Sequence, residues 1–126
     1  MSGNKIIIDT NIVIYFLLGH REVEKYFYDF DPAFSFISEL ELLSEKDLYP
    51  AEQDAVKILL SKQVIWGYLP AMKDIVIDIR SKKRLKLPDA IVAATASYFD
   101  IPLVSSDKSF RNINGLNLLY NEPPIL

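Results

Sequence analysis

Cysteine is absent from this 126-residue chain. Its absence excludes disulfides, thiolate metal sites and a cysteine nucleophile. Histidine occurs once, at His20, so a zinc centre built from several imidazoles is excluded, and a surface role suits that ring. Long apolar runs are missing as well. The longest, Ile12–Leu18, is far too short to cross a bilayer, and Met1-Ser2-Gly3-Asn4 carries no apolar leader. A cytoplasmic protein with no membrane association is therefore expected. Net positive charge is also lacking: the formal charge is −3. The chain as a whole does not attract nucleic acid, but a local basic patch still can. No repeat, low-complexity stretch or linker divides the sequence, so one domain over residues 1–126 is expected, long enough to bury a core.

Half of the residues are hydrophobic and a quarter charged, the ordinary balance of a soluble globular protein. Ile6-Ile7-Ile8 reads as a strand buried on both faces. Thr10 or Asn11 can cap a helix running to about Leu18, with Gly19 as its stop. Arg21–Phe30 reads as a second helical piece and Ala33–Ile37 as the next strand. Ser38 opens a helix to about Lys46, and Pro50 starts another to about Lys62. Val64–Trp66 is a third strand, Ala71–Arg84 helical, and Pro88 begins a helix to about Phe99. Leu103–Ser105 and Leu116–Tyr120 complete five short strands. Strands separated by helices imply crossovers, a parallel sheet, and an α/β/α sandwich.

Four acids fall at informative places on this framework. Asp9 follows the first strand, Glu41 lies in the first turn of the helix after the second, Asp89 opens the helix "LPDAIVAATA", and Asp107 follows the fourth strand. An open parallel sheet presents the carboxyl ends of its strands along one edge, where ligands bind. Each acid also has a purely structural reading. Asp9 suits a turn, Ser38-x-x-Glu41 matches a capping box, Asp89 suits the positive end of a helix dipole, and Asp107 can cap a short turn. Four together at one edge differ from four apart, because like charges repel unless a cation neutralises them. Oxygen ligands without His or Cys suit Mg²⁺ or Mn²⁺, and such a site suits phosphate-ester hydrolysis by an activated water. Thr10, Ser38, Ser105 and Ser106 can orient water or metal, or serve as caps.

Five of the seven residues in Arg80–Lys86 are basic. They are read either as a solvated helix end or as a grip on a phosphate backbone, with Arg80, Lys82, Lys83 and Arg84 as the substrate-binding candidates. The aromatics Tyr26, Phe27, Tyr28 and Phe30 read as core or subunit interface rather than as base-stacking residues.

In order, "IIIDTNIVI", "SFISELELL", "LKLPDAIVAATA" and "LVSSDKSF" resemble the PIN domain, and within it the VapC-type toxins of toxin–antitoxin systems. The resemblance spans essentially the whole chain. It implies a Rossmann-like PIN fold and a Mg²⁺- or Mn²⁺-dependent endoribonuclease. It further implies a homodimer, inhibited by a VapB-type antitoxin that inserts a peptide across the cleft. By that analogy Asp9, Glu41, Asp89 and Asp107 are the catalytic quartet, with Asp9, Asp89 and Asp107 holding metal. Glu41 is chosen over Glu39 because the family pattern places its acid three residues after the Ser/Thr and just before a Leu. In the last motif Ser105 stands where many relatives carry Thr, and the second Asp found two residues beyond the matching acid is missing here.

Two other functions fit less well. A Mg²⁺-binding phosphoacceptor signalling domain also places an Asp after the first strand, with Lys108 as a possible later cation, but the paired early acids are absent. A catalytically weak PIN-like binding module would not need the intact quartet.

Overall fold

Three consecutive isoleucines are buried together only where both faces of a strand are covered. The computed structural model, which describes residues 4–125, places them in such a strand. β1 (Lys5–Ile8) is the central member of a five-stranded sheet with β2 (Asp31–Ser35), β3 (Val64–Trp66), β4 (Leu103–Ser105) and β5 (Leu118–Tyr120). The spatial order is β3-β2-β1-β4-β5, and every neighbouring pair is parallel. The reading of Met1–Gly3 as free of a leader lies outside the described residues.

Helices cover both faces. Ile6, Ile8, Phe34 and Val104 pack with Ile12 and Val13 of α1 (Thr10–Leu17), Tyr26 of α2 (Lys25–Tyr28), and Val56 and Leu60 of α4 (Pro50–Ser61). On the opposite face, Ile7 and Leu103 pack with Val76 and Ile79 of α5 (Lys73–Lys82) and the alanine-rich side of α6 (Leu87–Phe99). α3 (Phe36–Leu43) bridges the two, contributing Leu42 to the first core while Ile37 packs on the second. This is the expected α/β/α architecture. No helix among the described residues is long and apolar enough to cross a membrane.

Several boundaries differ from the sequence reading, each for a local reason. β2 begins at Asp31 and ends at Ser35, because the Ser35 hydroxyl accepts the Ile37 N–H at 3.1 Å and caps α3 there. Ser38 is therefore buried inside the helix rather than at its cap, and the capping box with Glu41 does not form. Glu41 consequently lies in the second turn of α3, not the first. Asp9, rather than Thr10 or Asn11, caps α1. The segment 21–30 divides into a 3-10 turn (Arg21–Val23) and the short α2, α5 ends at Lys82, and β5 starts two residues late, at Leu118. Gly19 does terminate α1, with φ at +85°, where a side chain would be strained. Of the early aromatics, Tyr26 is buried and Phe27 stacks on Phe16 at 4.1 Å, whereas Tyr28 is 71% exposed.

The strand order also fixes the site. The chain passes from β1 to β2 and β3 on one side, then crosses back to β4 and β5 on the other. The carboxyl ends of β1 and β4 therefore flank the point where the winding reverses, the crevice in which open parallel sheets bind ligands.

Candidate active site at the carboxyl edge of the sheet

Asp9 is the first residue beyond β1 and only 7% exposed. Its Oδ1 accepts the Thr10 N–H at 2.9 Å, capping α1, while Oδ2 accepts the Ser105 hydroxyl at 2.7 Å and the Asn11 amide at 3.3 Å. Burial drives the Asp9 pKa up to about 6, although the bonds from Ser105 and Thr10 favour its charged form. Asp89 and Glu41 add repulsion in the same direction.

The other three acids come to the same cleft, an open depression of about 460 Å³. Asp89 enters from the first turn of α6, one residue after Pro88. Its pKa is raised, first by burial and then by Asp107 and Glu41, with Lys86 opposing. Glu41 projects from α3 and accepts the Thr10 hydroxyl at 2.6 Å. Asp107 caps the 3-10 turn Lys108–Phe110 through Ser109 N–H at 2.9 Å, and its own N–H donates to Ser105 Oγ at 3.0 Å. Structural and site readings were never exclusive: Asp9 and Asp107 are caps, and both line the cleft.

Sequence reasoning missed three contributors. Asn11, read only as a cap, bonds Asp9, Ser105 and the Ser106 N–H, tying the ends of β1 and β4 together. Glu45, two residues past the end of α3, also lines the cleft; its i+4 spacing from Glu41 in a helix expected to reach Lys46 could have signalled it. Lys86, three residues before Asp89, is the cation whose charge Asp89 feels. Glu39, in contrast, lines a separate groove with Leu43, Lys57 and Leu60.

The basic run is only partly as expected. Arg80 Nε donates to the Leu85 carbonyl at 3.4 Å, Lys82 pairs with Asp78 at 3.0 Å, and Lys83 donates to the Arg111 carbonyl at 2.8 Å. None of Arg80, Lys82, Lys83 and Arg84 lines the acidic cleft. Three of the four thus make local contacts, and Arg84 is exposed.

A hard divalent cation fits the donor chemistry, since every charged group lining the cleft is a carboxylate and the neighbouring polar groups are Thr10, Asn11 and Ser44. Among the described residues, no three Asp, Glu or His side chains are placed to hold one ion. Uncompensated repulsion keeps carboxylates apart, and the Thr10 hydroxyl holds Glu41. Mg²⁺ itself asks for only one or two carboxylates, with waters and phosphate oxygens completing its shell.

Fold and cleft together define a Rossmann-like α/β/α domain with an acid-lined switch-point crevice. The chain belongs to the PIN domain family, whose model matches residues 6–116. Among solved structures, it is similar to a chain of a toxin–antitoxin complex from Klebsiella pneumoniae, at 28% identity and a TM-score of 0.75, covering 88% of this chain and 94% of that one. The same fold occurs in VapBC2 from Rickettsia felis, solved with a promoter DNA fragment (20% identity, TM-score 0.79, 94% and 99% covered). It occurs again in DNA-bound VapBC from Salmonella typhimurium (21% identity, TM-score 0.78, 90% and 96% covered). No curated protein matches the chain.

Proposed function

We propose that this PIN domain is a Mg²⁺- or Mn²⁺-dependent endoribonuclease and the toxin of a VapBC-type pair. The observation that carries the reading is the meeting of Asp9, Glu41, Asp89 and Asp107 in one crevice, with the pKa values of Asp9 and Asp89 raised by burial and then by the neighbouring carboxylates. Of Asp9, Asp89 and Asp107, one or two would ligate the ion directly and the remainder would hold it through its bound waters. When bound, a divalent cation would lower the pKa of an attacking water and offset charge on the phosphodiester.

The chain's own residues do the rest. Ser105 and Asn11 fix the Asp9 carboxylate so that it need not reorient when charge arrives. Glu41, oriented by Thr10 and open to solvent, is placed to accept a proton from water. Lys86, beside Asp89, draws in the phosphate backbone.

An antitoxin fits the same cleft: an Arg or Lys from a VapB-type peptide would neutralise the acids as a cation does. The likeness to a chain of the Klebsiella toxin–antitoxin complex supports this partner. A homodimer is proposed from the resemblance, with exposed apolar side chains such as Ile77 of α5 and Leu87 and Tyr98 of α6 available to it.

Incubating the purified chain with RNA and Mg²⁺, with and without excess EDTA, tests the activity. Internal cleavage that EDTA abolishes is expected, and cleavage unchanged by EDTA overturns the proposal. Acyl-phosphate formation on Asp9 from a small phosphodonor, without RNA cleavage, would favour the phosphoacceptor reading instead.

A further inference from the structure

Beyond the acids, the same sheet edge carries an aromatic–guanidinium pair that the proposed chemistry does not use. The Arg111 guanidinium lies 4.1 Å from the centre of the Tyr120 ring. Tyr120 ends β5 and is only partly exposed, whereas Arg111 is exposed. Arg111 has no carboxylate partner among the described residues. Its backbone is held from outside, because Lys83 donates to its carbonyl at 2.8 Å. An arginine that stacks at the surface, makes no ion pair among the described residues and has its backbone held by a lysine is poised for a ligand. Its inner face is covered by the ring.

Neither residue lines the acidic cleft, but two ties place the pair on the same sheet edge as the acids. In the β4–β5 register Tyr120 stands opposite Ser105, whose hydroxyl holds Asp9. Parallel neighbours in register direct their side chains to the same face, so Ser105 and Tyr120 lie alike, and Asp9, one residue past β1, extends the row through its bond to Ser105. Two strand spacings, roughly 10 Å, separate its ends. Along the chain, Asp107 and Arg111 are the two caps of one 3-10 turn, about 8 Å apart at its rise per residue. A phosphate at the acids would thus have its neighbouring nucleotide beside Arg111.

We infer that Arg111, held flat on Tyr120, is the stacking platform for a nucleobase of single-stranded RNA running beside the acidic cleft of Asp9, Asp89 and Asp107. This rests on the proposed ribonuclease reading and extends it to a subsite. An unpaired base stacks on a guanidinium plane as it does on an aromatic ring. The plane also carries a positive charge for the adjoining phosphate. Because every base has a π face, the platform selects unpaired nucleotides over duplex rather than one base over another.

The test compares binding of a mixed-sequence 12-nucleotide single-stranded RNA with binding of the matching abasic strand, followed by fluorescence anisotropy without divalent metal. The full-length chain and its Arg111→Ala and Arg111→Lys variants are measured, with Mg²⁺-supported cleavage assayed alongside. Arg111→Ala should weaken binding of the base-bearing RNA about fivefold or more, with a much smaller effect on the abasic strand. Arg111→Lys should keep affinity for the abasic strand yet still lose the preference for bases, which also guards against a misfolded alanine variant. If Arg111→Ala weakens both strands equally, Arg111 is a phosphate contact and the platform is wrong. Wild-type chain that binds and cleaves RNA while both variants match it overturns the platform alone. Wild-type chain that binds neither strand and cleaves nothing overturns the platform and the ribonuclease together.

Discussion

The Ser105 hydroxyl donates a 2.7 Å hydrogen bond to Asp9 Oδ2, joining the carboxyl ends of β4 and β1. The same oxygen of Ser105 accepts the Asp107 N–H at 3.0 Å, so one small side chain sets two of the four acids. Ser105→Ala leaves a buried carboxylate short of a donor. It should destabilise the protein by about 1.5–3 kcal/mol at neutral pH, the range for hydrogen bonds to charged groups. Chemical denaturation at pH 8 and at pH 4.5 checks it. The loss should shrink at the lower pH, where Asp9 is protonated.

Asp9 itself makes the metal-free protein pH-sensitive. Its pKa in the fold, about 6, lies above its ordinary 3.8, so the folded state binds the proton more tightly than the unfolded chain. The stabilisation is fully present below about pH 4 and is lost as pH rises through 6, a decline of about 3 kcal/mol from this group. Asp9→Asn keeps the helix cap, since Asn caps as well as Asp, and removes the ionisation. In EDTA its stability should vary less between pH 4 and 7 than wild type, and at pH 8 it should equal or exceed wild type. RNA cleavage should be abolished. Thermal melts across pH, with a cleavage assay at pH 8, decide it.

Mg²⁺ or Mn²⁺ should raise the melting temperature of the wild-type chain, because a ligand that binds only the folded state stabilises by mass action. At a hundredfold excess over Kd the gain is about 2.7 kcal/mol. Asp89→Asn should lose most of this shift along with activity. An equal Mg²⁺ shift in wild type and Asp89→Asn would remove Asp89 from the ion's shell.

Glu41 and Glu39 form an internal control. They stand two residues apart on α3, yet Glu41 lines the acidic cleft and Glu39 a separate groove. Glu41→Gln should lower cleavage by about 10²-fold or more, the usual weight of a proton acceptor. Glu39→Gln should stay within about twofold of wild type. The reverse order, measured as initial rates at saturating Mg²⁺, would move the site's second acid to Glu39.

The basic run predicts a split in salt dependence. Lys82 and Lys83 are already engaged, while Arg84 and Lys86 are exposed and Lys86 acts on Asp89. Arg84→Ala with Lys86→Ala should reduce the slope of log K against log salt by about 1.4 for single-stranded RNA. Lys82→Ala should leave it nearly unchanged. Equal slopes in all variants would return the whole run to a solvated helix end.

The sequence by itself determined the parallel sheet, because an isoleucine triplet and helices between short strands leave few other ways to bury apolar surface. It also determined the residues placed at the strand ends, Asp9 and Asp107, since position relative to a strand is a local property. Tertiary structure alone decided the rest. The start of α3 turned on whether Ser35 or Ser38 took the cap, a competition between two similar side chains. Packing settled it by burying Ser38, whereas Glu41, chosen over Glu39 from the family pattern, lines the cleft. Likewise, Lys83 meets Arg111 from far along the chain, and Arg111 meets Tyr120 across the loop that leads into β5. Their meeting depends on strand order and register, which no local pattern of residues encodes.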